Sequence, residues 1–108
     1  MNEILAKLNK KKIAILGLGI ENLAMLEYFE KQGLEARIDI FDMRPEKELN
    51  GRIKNLEKNE KYKLIKQSDE NNFSTYDIIF RSPGFPLFKE NLVQAKEAGV
   101  IISSAMKL

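Results

Sequence analysis

The chain has 108 residues, enough for one domain around a single modest core, and its 44% hydrophobic and 31% charged residues are those of a globular chain rather than a disordered one. Eighteen basic residues nearly balance sixteen acidic ones, and a net charge of +2 is too even to imply a nucleic-acid partner. Without Cys or His there is no disulfide framework and no thiolate or imidazole metal site, and no apolar run approaches the ~20 residues of a membrane span.

Residues 1 to 12 lack a continuous apolar stretch followed by a small-residue cleavage site, so a secretory signal is not expected. Together with the absent cysteines this fits a cytoplasmic protein. Glu3 to Leu8 reads as a short entry helix. Ile13-Ala14-Ile15-Leu16 is a continuous apolar run closed by Gly17, the pattern of a parallel strand covered on both faces. Glu21 to Gln32 follows as a helix, with Leu26, Phe29 and Gly33 on one face and Gly33 placed as its C-terminal cap.

Ile38 to Asp42 is the second strand, broken by Met43-Arg44-Pro45 because proline has no ladder donor. Glu46 to Lys58 is predicted helical, interrupted at Asn50-Gly51, and the Lys-rich stretch Lys54 to Lys66, interleaved with Glu57 and Glu60, reads as a solvated face. Tyr62 to Ile65 is a third strand, Ser68 to Ser74 a polar loop, and Asp77 to Arg81 a fourth strand turned by Ser82-Pro83-Gly84. Phe88, Leu92 and Ala95 mark an amphipathic helix stopped by Gly99, and Val100 to Ser103 is the last strand. Strands separated by helices require crossovers, which favour parallel pairing with helices on both faces. The chain is predicted to be one α/β domain over 1–108, an open, parallel sheet of about five strands. Ser104 to Leu108 follows the last strand without a capping helix or polar tail, so the chain is expected to end at a domain edge from which a longer chain continues.

Two motifs carry chemistry. Gly17-Leu18-Gly19-Ile20-Glu21-Asn22 is a G-x-G-x-x-N between a strand and a helix. Gly17 permits the tight turn, Gly19 lets a phosphate approach the backbone, and the helix N-terminus favours an anion. Asp42 ends the next strand at about the spacing of a ribose-binding acid. Asn22 takes the place of the third glycine and is expected to loosen helix–strand packing; Glu21 puts a negative charge where a phosphate would approach. The second motif, Arg81-Ser82-Pro83-Gly84-Phe85-Pro86, follows the fourth strand. Ser82 offers a hydroxyl, Gly84 an exposed N–H, and the prolines stiffen the loop. In an open parallel sheet these features share one edge, where ligands bind. No residue is assigned a catalytic or metal-binding role: Ser82 has no His to activate it, and Ser-Pro-Gly is not a nucleophile elbow. The glycine turn and Asp42 fit a stand-alone NAD- or FAD-binding module equally well, and a degenerate interaction domain is a third reading.

Lys12 to Gly19, Asp42 to Arg44, Tyr76 to Pro86 and Ala95 to Val100 together resemble the N-terminal domain of the D-glutamate-adding Mur ligases. The resemblance runs from about Lys10 to Leu108, and Ser-Pro-Gly-Phe-Pro after an Asp-hydrophobic-hydrophobic strand is its most specific part. It implies a Rossmann-like domain that binds the uridine diphosphate part of UDP-N-acetylmuramoyl-L-alanine in cytoplasmic peptidoglycan precursor synthesis. It implies that the turn at Ile20 and Glu21, beside the substrate-binding Gly17 and Gly19 of the motif, lies against the diphosphate, that Asp42, Met43 and Arg44 surround uracil and ribose, and that Ser82, Pro83 and Gly84 close over the nucleotide. ATP and Mg2+ would be bound by a central domain and D-glutamate by a third. This chain has no G-x-x-x-x-G-K-[ST], hence no ATP cradle, no cofactor of its own and no expected catalysis alone. Glu21 and Asn22 stand where many family members have Ser or Thr then Gly, Met43 stands where a polar residue is common, and Ser104 to Leu108 lacks the two acids with which the domain often ends.

Overall fold

The computed structural model describes residues 3–42, 62–65, 73–82 and 89–105. The five apolar-rich segments become the strands β1 (Lys12–Leu16), β2 (Arg37–Phe41), β3 (Tyr62–Ile65), β4 (Ile78–Arg81) and β5 (Ile101–Ser103). They form one sheet in the order β3-β2-β1-β4-β5, and every neighbouring pair is parallel. Among the described residues the helices are α1 (Glu3–Leu8), α2 (Ile20–Lys31) and α3 (Lys89–Glu97), with a 3₁₀ turn at Phe73–Thr75. The helix expected over Glu46 to Lys58 lies outside the described residues.

The continuous apolar run of β1 is explained by two cores, one on each face. Successive strand side chains point to opposite faces. Ile13 and Ile15 join Ile38, Ile40 and Phe80 beneath α1 and α2, with Leu5, Leu8, Leu26 and Phe29 supplied by the helices. Ala14 and Leu16 join Phe41, Ile79, Phe73 and Tyr76 on the other face, covered by Leu92 and Ala95 of α3. Helices therefore lie on both faces, as the alternation of strands and helices predicts. Phe41, Phe73 and Tyr76 pack edge-on or tilted, with ring centroids 5.1–6.5 Å apart.

Both longer helices stop as the sequence predicts. The Gly33 N–H donates to Glu30 O and the Leu34 N–H to Phe29 O; Gly99 and Val100 repeat this pattern onto Lys96 and Ala95. These paired bonds satisfy carbonyls that a helix end would leave without partners. Leu34 and Phe29 lie in the same core, which completes the hydrophobic contact that accompanies such caps.

One polar side chain is buried within the second core. Asp39 of β2 accepts the Tyr76 hydroxyl at 2.5 Å and lies 3.8 Å from Arg37 Nε. Lys12 Nζ stands 4.7 Å over the Tyr76 ring and donates to Thr75 Oγ1. Burial and the neighbouring Asp39 carboxylate raise the Tyr76 pKa above its ordinary value, because both disfavour the phenolate. Tyr62, whose hydroxyl donates to Glu30 at 2.7 Å, is raised for the same reasons, burial first.

Candidate functional site

The strand order creates the site. From β1 the chain proceeds outward to β2 and β3, then crosses to β4 and β5 on the other side of β1. The carboxyl ends of β1 and β4 thus flank the point where the order reverses, the place where open parallel sheets leave a crevice. Register aligns the three relevant ends: Leu16 is level with Phe41 on one side and with Arg81 on the other. The ladder continues into the turns, with Gly17 N–H donating to Phe41 O and Ser82 N–H to Leu16 O, both at 2.8 Å. Gly17, Asp42 and Ser82 consequently leave the same edge of the sheet side by side, as the motifs predict.

The glycine turn is tightly constrained. Gly17 has φ +88°, in the left-handed region that a side chain disfavours. Its neighbour Leu18 is fully buried, and the Leu18 N–H donates to Asp42 Oδ2 at 2.7 Å. A carboxylate accepting a backbone N–H in a buried setting makes a strong, charge-assisted bond. Asp42 is only 3% exposed. Its carboxylate thereby braces the turn from β2, a function the spacing alone does not reveal.

Asn22, expected to loosen helix–strand packing, makes a bond of its own to the glycine turn. Its side chain is 1% exposed, and Nδ2 donates to Gly17 O at 2.7 Å. The carboxamide fills the place of the missing third glycine and links the first turn of α2 back to the carbonyl of the glycine turn. The sequence clue is chemical: of the residues in that turn, only Asn22 carries a side-chain N–H donor.

Gly19 precedes α2 as its N-cap, with extended backbone angles and no side-chain capping bond. A Cβ placed on Gly19 would lie 3.0 Å from Ser82 Oγ and 3.6 Å from Glu21 Oε2. The absent side chain therefore leaves room for the Ser82 side chain beside the glycine turn. Ile20 is 73% exposed and Glu21 is exposed, both in the first turn at the helix N-terminus. The Ser82 hydroxyl, a half-buried group, overlooks the same N-terminus. Of the residues singled out from sequence, Gly17, Gly19, Ile20, Glu21, Asp42 and Ser82 are brought to this edge; Met43, Arg44, Pro83 and Gly84 lie outside the described residues. Among the described residues no group of three or more acidic side chains is placed to hold a metal ion.

A family profile described as "Mur ligase MurD-like, N-terminal domain" matches residues 11–104, spanning every strand of this sheet and both motifs. The chain belongs to this family. The MurD-like domain is also similar to full-length relatives named UDP-N-acetylmuramoylalanine--D-glutamate ligase. It is 32% identical to the protein of Clostridium tetani and 32% identical to that of Clostridium acetobutylicum, over 98% of this chain and 23% of each relative. To the protein of Pelobacter propionicus it is 34% identical over 94% of this chain and 22% of the relative. The chain thus spans less than a quarter of the length of these curated relatives. No helix of the MurD-like domain, among its described residues, is long and apolar enough to cross a membrane.

Proposed function

We propose that the chain binds the uridine diphosphate part of UDP-N-acetylmuramoyl-L-alanine, as the N-terminal domain of a D-glutamate-adding ligase of peptidoglycan precursor synthesis. The observation that carries this reading is the convergence of the Gly17–Gly19 turn, Asp42 and Ser82 at the switch point of a MurD-like sheet. Each group has a chemical task there. The N-terminus of α2 offers backbone N–H groups and a positive dipole end to the diphosphate. Gly19 keeps that approach open, and the Ser82 hydroxyl can donate to a phosphate oxygen. Asp42 holds the turn by its bond to Leu18 and stands where the nucleoside would extend past β2. Met43, Arg44, Pro83 and Gly84 complete the proposed contacts from the adjoining segments.

Ligation itself is assigned to other domains, which would bind ATP, Mg2+ and D-glutamate. The isolated chain is expected to bind without catalysing. Incubated with ATP, Mg2+, D-glutamate and the uridine substrate, it should release no phosphate above a heat-killed control.

The test of binding is a titration with UDP-N-acetylmuramoyl-L-alanine, UDP and NADH, followed by calorimetry and amide chemical shifts. The uridine compounds should bind, with shifts at Gly19, Asp42 and Ser82, and NADH should not. Binding of NADH alone would replace this reading with that of a dinucleotide-binding module.

A further inference from the structure

The N-terminus of α2 already has an anion beside it, contributed by the chain itself. Gly19 provides no capping side chain. Glu21 occupies the second position of the helix, and its Oε2 atom lies 3.6 Å from the point where a Gly19 Cβ would stand. Ser82 Oγ lies 3.0 Å from that same point. The carboxylate thus turns back over the glycine, towards the gap between the α2 N-terminus and the Ser82 hydroxyl. Near that helix end it is favoured by the same dipole that would favour a phosphate.

Resting on the nucleotide-binding reading above, we propose that Glu21 is a specificity-determining residue that competes with the ligand diphosphate and biases the site toward less charged phosphate ligands. The carboxylate stands beside the helix end and stays tethered to its first turn, so its negative charge opposes that of an incoming phosphate. Ser82 is neutral, and the helix end carries only about half a positive charge, so neither offsets a full negative charge of this kind. Because Glu21 is exposed, water screens the repulsion, and its effect on diphosphate affinity is about tenfold, or ~1.4 kcal/mol. The penalty grows with ligand charge: greatest for UDP, smaller for UMP, absent for uridine.

The experiment is calorimetric titration of the wild-type chain and Glu21→Gln with UDP, UMP and uridine at fixed ionic strength. Glutamine keeps the length and polarity of the side chain and removes only its charge. The exposed position leaves the fold intact, which thermal unfolding verifies. The expected result is about tenfold tighter UDP binding by Glu21→Gln, a smaller gain for UMP and none for uridine. Equal UDP affinities in wild type and variant, a gain independent of phosphate charge, or weaker binding by the variant would overturn the role of Glu21 while leaving the nucleotide reading in place. If none of the three ligands binds either protein, the nucleotide reading fails and this inference fails with it.

Discussion

Replacing Asn22 tests whether this residue braces or loosens the glycine turn. Its carboxamide is buried and donates to Gly17 O at 2.7 Å. Asn22→Ala removes the donor and leaves the Gly17 carbonyl without it, a loss of about 2 kcal/mol for a buried polar group. Alanine is the better helix former by a few tenths of a kcal/mol, which offsets part of the loss. A net cost near 1.5 kcal/mol corresponds to about 6 °C in Tm for a domain of this size. Urea unfolding should show a lower midpoint with an unchanged slope, since the surface exposed on unfolding is the same. Asn22→Gly is the sharper variant, because it restores the third glycine of the dinucleotide-type turn. If Asn22 braces the turn, Asn22→Gly is at least as unstable as Asn22→Ala, having lost the bond and gained backbone freedom. The reasoning is refuted if Asn22→Gly equals or exceeds the wild type in Tm.

Asp42→Asn retains a carbonyl oxygen to accept the Leu18 N–H, whereas Asp42→Ala does not; thermal unfolding should show the alanine variant about 1–3 kcal/mol less stable than wild type and the asparagine variant between them. Gly17→Ala forces a side chain into positive φ and should cost about 1–2 kcal/mol, measured by denaturant titration. Gly19→Ala, at an ordinary φ, should change stability by less than about 1 kcal/mol, but its methyl group meets Ser82 Oγ and should weaken UDP binding in a calorimetric titration. The raised Tyr76 and Tyr62 pKa values carry a definite sign: the folded state holds their protons more tightly, so their contribution is complete below about pH 10 and declines as pH rises above it. Stability measured from pH 9 to pH 12 should fall, and the fall should be shallower in a Tyr62→Phe/Tyr76→Phe double variant than in wild type.

Much of the architecture was legible in the order of residues because the signals are local. Ile13 to Leu16 is apolar at every position since both faces of β1 are covered. Gly33 and Gly99 stand where left-handed backbone ends a helix, and both adopt it. Gly17 and Gly19 marked the turn through their missing Cβ atoms, and the MurD-like resemblance followed from motifs of the same local kind. Small departures are at element ends: Val100 precedes β5, and Asp77 precedes β4 while its carboxylate accepts the Lys12 N–H.

The long-range contacts could be known only from the folded chain. Asp42 was visible as an acid after a strand, but its bond to Leu18 depends on the parallel register of β1 and β2. Asn22 looked like a weakened glycine because its value depends on a carbonyl five residues back, held in place by the left-handed turn at Gly17. Only the packing of Tyr76 against β2 explains the Asp39 carboxylate in the core. The approach of Ser82 to Gly19 arises from the placement of β4 beside β1 rather than beside β3. Local propensity determined which segments became strands and helices, since it acts through neighbouring residues. The partners at the strand ends were decided by sheet order and register, because these bring together residues that share no local sequence signal.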